Sequence, residues 1–438
     1  MFRNRPMRAV LSAAAILTGA TLALSGCSGG GATETAATYD PDEKVTLNLA
    51  FWGNDVRADL YNQAIAAFNE EYPNITVTSS FLGFPEFWEK RQTEAAGGGL
   101  PDVMQFDYSY LRQYSDNNLL LDLEPYLGST IATDGLPENV LEIGVVDDKT
   151  TALPIGTNAW ALFENPALLE QAGVEAFAGG SWEEYNAWIT EYTEAAQAKG
   201  LDGVWGGNDY TFRIQNFEIE QRAQGEDLFT EDGEPNFTEE DLAAFWEQGS
   251  DVRASESVIP QQRLTELNPL GGFDAGAIAS ELSWDNFGAG YVGNLGEGAS
   301  VTLQAPPVTE EGAKDLYLKP AMMHAISAKT DHPEAAATLV DFLINDPKAG
   351  EIFGTSRGLP ASETALSGAT LDTLGQAIAD YEDSVADRLG DAPPVPITGY
   401  GTLEEKFRQL GFELGFGTLT PDDAAEQFFT EMDVVLNG

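Results

Sequence analysis

One cysteine, two histidines and 22 basic residues mark what this chain of 438 residues has least of. Cys27 is the only thiol, so no disulfide forms within the chain and no cysteine set holds a metal; the fold must rely on its apolar core. His324 and His332 stand in separate contexts, which excludes a His-rich metal site and argues against a catalytic histidine triad. His-Glu-x-x-His and a glycine-rich phosphate loop ending in lysine are absent, and Gly97-Gly98-Gly99 closes a predicted helix instead of opening one. No cofactor and no metal are implied. Against the 22 basic residues stand 71 acidic ones, a formal net charge of −49. A field of that sign repels nucleic acid and anionic lipid headgroups, so neither is an expected partner. Beyond the first residues, no apolar run reaches the roughly 20 positions that a spanning helix needs.

The chain opens on Arg3, Arg5 and Arg8, then runs small and apolar from Ala9 to Leu24. A cationic start before an apolar stretch of this length predicts an export signal over residues 1–26. Leu24-Ser25-Gly26-Cys27 resembles the bacterial lipobox, in which the chain is cut before the cysteine and the sulfur is acylated. The expectation is an exported protein held to the outer face of the cell membrane, with acylated Cys27 in the lipid bilayer. Residues 27–43, rich in Gly, Ala, Thr and Ser, read as a flexible tether with a reach of roughly 20 Å.

The remaining residues, about 400, exceed a comfortable single core, so two domains are expected. Apolar residues make up 43% of the chain and aromatics 10%, enough for a folded body. Val45 to Phe51 alternates and then turns continuously apolar, as a strand entering a sheet does. Leu60, Ala64, Ile65 and Phe68 mark a helix over Arg57 to Tyr72 that Pro73 ends. Ile75 to Thr78 and Val103 to Phe106 read as two more strands, with a helix over Glu86 to Ala96 between them. This alternation predicts an α/β fold with a largely parallel sheet and ligand-binding loops at the carboxyl ends of its strands. Ser181, with Glu184 three residues on, is a capping-box start for a helix to about Lys199, and Trp182 in its first turn is assigned to the core. Helices over Glu334 to Ile344 and Pro421 to Leu436 follow from the same periodicity.

Several segments together resemble the family-1 extracellular solute-binding proteins. They are Trp52 after the first strand, Phe68-Asn-Glu-Glu-Tyr-Pro73, Ala95-Ala-Gly-Gly-Gly-Leu-Pro-Asp-Val103, Leu153-Pro-Ile-Gly156, Asn165-Pro-Ala-Leu-Leu169, Trp182-Glu-Glu-Tyr185, Ala325-Ile-Ser-Ala328, Ala335-Ala-Ala337 with Phe342-Leu343, and Arg357-Gly-Leu-Pro360. The resemblance implies a periplasmic-binding-protein-like fold: two α/β lobes, a ligand cleft between them, and crossing hinge segments near residues 155, 317 and 362. Residues 44–156 and 317–362 would form the first lobe, and 157–316 with 363–438 a second, more helical one. It further implies a monomer that captures a sugar, with an oligosaccharide the expected form, and delivers it to the permease subunits of an ABC transporter. The variant Trp52-Gly-Asn-Asp-Val-Arg57, with Asp107-Tyr-Ser-Tyr110, resembles members associated with plant-polysaccharide oligosaccharides.

Sugars present hydroxyls that need donors and acceptors, and C–H faces that pack on rings. The loop after the first strand offers Trp52, Asn54, Asp55 and Arg57, although Asp55 could equally cap the next helix. Asp107 and Tyr108 follow the third strand, Asn158 stands at the first crossing, and Trp284 with Asn286 matches the place where family members present a platform from the second lobe. Tyr400, Arg357 and, from a region that contacts ligand in relatives, Arg213, Asn216 and Phe217 complete the set; one of Phe84 and Trp88 is a further possibility. Arg357 could instead hold its turn through an ion pair. A glycosidase would need an acid pair that 71 acidic residues make impossible to single out. A non-sugar solute on the same fold is the other alternative. A sugar with uronates should be paired by Arg57, Arg213 or Arg357, whereas a neutral one would leave those arginines on protein acids.

Overall fold

The computed structural model describes residues 39–437, apart from Pro269 and Glu311. The export signal, Cys27 and the tether up to residue 38 lie outside the described residues. Strand β1 (Val45–Trp52) buries alternate side chains at its start and every one from Leu49 on. Helix α1 (Asp55–Glu71) starts two residues earlier than its periodicity indicates, because the Asn54 side chain accepts from Arg57 N and caps it. Strand β2 (Ile75–Leu82), helix α2 (Phe84–Gly97), strand β3 (Val103–Phe106) and helix α3 (Tyr108–Asp116) follow; the left-handed Gly98, at φ 70°, ends α2.

Six strands form the first sheet, in the order Leu359–Pro360, Leu153–Asn158, Lys319–Ile326, β3, β1, β2. β1 pairs in parallel with β2 and β3, but Lys319–Ile326 runs antiparallel to both of its neighbours. The sheet is therefore mixed rather than largely parallel. The cause is the route of the chain: it leaves this sheet at Asn158 and re-enters at Lys319, which pairs with Asn158, so the returning strand must run backwards. The second sheet has the order Thr302–Gln304, Trp160–Glu164, Ile278–Trp284, Trp205–Gly207. Only Ala159 separates the strand of one sheet from the strand of the other.

Helix Trp182–Ala198 packs on the second sheet and has the expected capping box, Ser181 with Glu184. Trp182 is buried, stacked on Tyr210 at 4.5 Å, and donates Nε1–H to Thr309. Helices Pro333–Asn345 and Pro421–Asn437 bury their apolar stripes on the first sheet and against Phe237, Trp246 and Phe407 respectively. Among the described residues no helix is long and apolar enough to cross a membrane.

Candidate functional site

Between the two sheets lies a cavity of about 450 Å³, built from strand ends and the segments that follow them. Beyond β3, Asp107 accepts from Ser109 N at 3.0 Å and caps α3, which leaves Asp107 and Tyr108 on the cavity wall. Strand Leu153–Asn158 delivers Asn158 to the cavity at its last position. From the second sheet, strand Ile278–Trp284 ends on Trp284, and Asn286 follows in one tight turn. Helix Tyr400–Gly415 begins at the cavity with Tyr400, behind Gly399, whose φ of 88° favours glycine. Asp107, Tyr108, Asn158, Trp284, Asn286 and Tyr400, far apart in sequence, thus line one space.

The rings are held firmly. Trp284 meets Trp160 edge-on at 5.1 Å and Tyr317 at 5.7 Å, and Lys319 Nζ lies 5.0 Å from its ring centroid. The polar groups are less completely satisfied. Asn158 is 3% exposed, and its Oδ1 is buried without a hydrogen-bond partner among the described residues. Glu218 is also buried and accepts from the Tyr317 hydroxyl at 2.8 Å; burial, opposed by that bond and by Arg222, pushes its carboxyl up to about 7. Burial likewise raises the Tyr108 and Tyr400 phenols above their ordinary value, which keeps both as neutral donors. Fixed ring faces interleaved with unfilled donors and acceptors suit a polyhydroxylated ligand, and the volume lies in the range of small-molecule sites.

The structure places the other singled-out residues elsewhere. Trp52 packs with Phe84, Phe87 and Trp88 at ring separations of 5.4, 5.5 and 6.1 Å. Trp88 in turn stacks on Tyr110 at 3.8 Å, so α2 supplies rings to this cluster rather than to the cavity. Asn54 is used as a cap, Asp55 is exposed in the first turn of α1, and Arg57 donates to Trp52 O at 3.1 Å. Arg357 lies in the interior, its guanidinium 3.4 Å from the Phe353 ring centroid and bonded to Leu343 O; among the described residues no ion pair holds it. Arg213 pairs with Glu281 at 3.1 Å, Asn216 accepts from Trp160 Nε1, and Phe217 is core. Gly354-Thr-Ser356-Arg-Gly358 has the Gly-x-Ser-x-Gly spacing, which also occurs at Gly26 to Gly30, outside the described residues. At Gly354 a helix precedes and a strand follows, the reverse of a nucleophile elbow.

Sequence reasoning missed Gln215, Glu218, Tyr317, Lys319, Glu404 and the run Pro393 to Ile397, all on the cavity wall. Gln215 and Glu218 are three apart on helix Ile214–Ala223, an inward polar stripe on an otherwise buried helix. The proline run did carry a signal: Pro393-Pro394-Val395-Pro396 is stiff, and Arg112 on α3 donates to Val395 O at 3.2 and 2.9 Å to hold it in place.

The family model described as bacterial extracellular solute-binding protein matches residues 54–349. A solved family-1 extracellular solute-binding protein from Alicyclobacillus acidocaldarius is 27% identical, with a TM-score of 0.76 over 91% of this chain and 100% of that one. A periplasmic oligogalacturonide-binding protein from Yersinia enterocolitica shares the fold at 22% identity, with a TM-score of 0.76 over 89% of this chain and 98% of that one. A Brucella abortus protein named as a binding protein is 28% identical over 160 residues, 36% of this chain; the match spans about 36% of the length of that relative. The architecture is the two-lobed α/β, periplasmic-binding-protein-like one.

Proposed function

The chain belongs to the bacterial extracellular solute-binding proteins, and we propose that it is a lipoprotein of an ABC importer that captures an oligosaccharide by closure of two lobes. Acylated Cys27 tethers it to the membrane, residues 44–156 with 317–362 form one lobe, and 157–316 with 363–438 form the other. The open form takes a glycan on one lobe, the second lobe adds contacts that favour the closed form, and the closed complex docks on the membrane permease. No chemistry is done on the ligand.

The observation that carries this reading is the cavity between the sheets, where Trp284 and Tyr108 present rings beside Gln215, Glu218 and Asn286. Neighbours of the same fold support the ligand class, since one of them is named for oligogalacturonide. The test is a thermal-shift screen of the mature chain against neutral, amino and uronate oligosaccharides, with metals and polyamines as controls. A ligand that binds only the folded state raises the melting temperature by mass action, by about 2.7 kcal/mol of stability at a hundredfold excess over Kd. A selective shift with one glycan class is expected. A shift with metals or polyamines alone would overturn the reading.

A further inference from the structure

We propose that Glu218 makes this cleft select a glycan carrying a basic nitrogen over its uronate and N-acetylated counterparts. The inference rests on the reading of the cavity as a glycan site and deepens it. Among the described residues, the cavity wall holds the carboxylates of Asp107, Glu218, Asp227 and Glu404 against one cation, Lys319. Arg57, Arg213 and Arg357, the side chains that would pair a uronate, are not on that wall.

The carboxylates are not equally occupied. Asp107 is engaged as a helix cap, Asp227 is ion-paired with Arg222, and Glu404 accepts from Gln215 Nε2 at 2.7 Å. Glu218 is 6% exposed and, among the described residues, makes no ion pair within 4.0 Å and has one hydrogen bond, from Tyr317 to its Oε2. Its other oxygen is left for a ligand. A carboxylate so far removed from water is costly unless a cation meets it, and its rise to about 7 has that cause. The phenol rings of Tyr108, Tyr317 and Tyr400 stand close enough to act on Glu218 electrostatically, as do Arg222, Asp227 and Glu404. Aromatic faces around a buried carboxylate are the environment in which an ammonium gains both cation–π attraction and a charge-assisted hydrogen bond. A protonated amine entering there ionises Glu218, which releases a proton.

The experiment is calorimetric titration of the mature protein at about pH 6.5, where a sugar amine is charged. Probes are a glucosamine oligosaccharide, its N-acetylated match, a neutral glucan oligomer and an oligogalacturonide, each in two buffers of different ionisation enthalpy. The glucosamine oligomer is expected to bind about tenfold or more tightly than the others, with proton release that Glu218→Gln abolishes along with the preference. Glu404→Gln, on the more exposed neighbouring carboxylate, should weaken the preference less. A neutral or uronate oligomer binding as tightly as the amine in the wild type overturns the inference while leaving glycan capture in place. Failure of all four glycans to bind overturns both. Should Glu218→Gln not fold, the wild-type ranking and its proton release decide alone.

Discussion

Trp284 is held on two sides by Trp160 and Tyr317 and offers a ring to the cavity, so it serves packing and binding at once. The two roles separate by substitution. Trp284→Phe keeps an aromatic platform of smaller area and is expected to lose roughly tenfold in affinity for the captured glycan with little change in melting temperature. Trp284→Ala should cost about 3 kcal/mol of stability as well, read by denaturant unfolding. At the crossing between the sheets, Asp285 Oδ2 accepts from Ala159 N at 2.8 Å and Glu382 Oε2 accepts from the Thr157 hydroxyl at 3.2 Å. Their remaining oxygens, Asp285 Oδ1 and Glu382 Oε1, are sealed from solvent without a hydrogen-bond partner among the described residues, and a proton shared by the two carboxyls relieves their repulsion. Burial is the larger cause that pushes Asp285 to about 7 and Glu382 well above the usual carboxylate range. A carboxyl with a raised folded pKa binds its proton better folded than unfolded. Its stabilising contribution is complete below the unfolded value of about 4 and is lost as pH rises through the folded one. The melting temperature should therefore fall between about pH 5 and 8, and Glu382→Gln should flatten that fall; an unchanged slope would contradict the shared proton.

At the scale of elements, α1 and α3 begin in the same way, each with a side chain that caps the first turn, yet only the cap of α3 faces the cavity. Asn54→Ala is expected to cost about 1 kcal/mol in chemical unfolding without altering glycan affinity. A large affinity loss in that variant would return Asn54 to the ligand. The helices and the first three strands were legible in the sequence because apolar period and capping residues are local. The direction of strand Lys319–Ile326 was not, since an apolar run carries no sign of which end enters the sheet first. The same limit explains the helix Ile214–Ala223: Gln215 and Glu218 read as any polar pair on a helix, and only tertiary packing turns them inward. Trp52 shows the opposite case. Its loop looked like a sugar site in composition, but Phe84, Phe87 and Trp88 supply the rings that absorb it.

For the whole molecule, a net charge of −49 and a cleft with more carboxylates than cations agree with the proposed preference for a ligand that is not anionic. The family could be read from segments strung along the chain because those segments build the lobes and their crossings. The ligand could not, because the cavity is assembled from positions between Asp107 and Glu404 whose meeting depends on two sheets being joined at Asn158 and Lys319. The central claim is capture of an oligosaccharide in that cavity without chemistry. Its most direct measurement is calorimetric titration of the mature protein with the glycan class found by the thermal screen, with recovery of the sugar afterwards. One-to-one binding at micromolar Kd or tighter, about −8 kcal/mol or more favourable, is expected, weakened by Trp284→Phe and with the sugar recovered unchanged. Binding indifferent to Trp284, or recovery of a cleaved glycan, would contradict it.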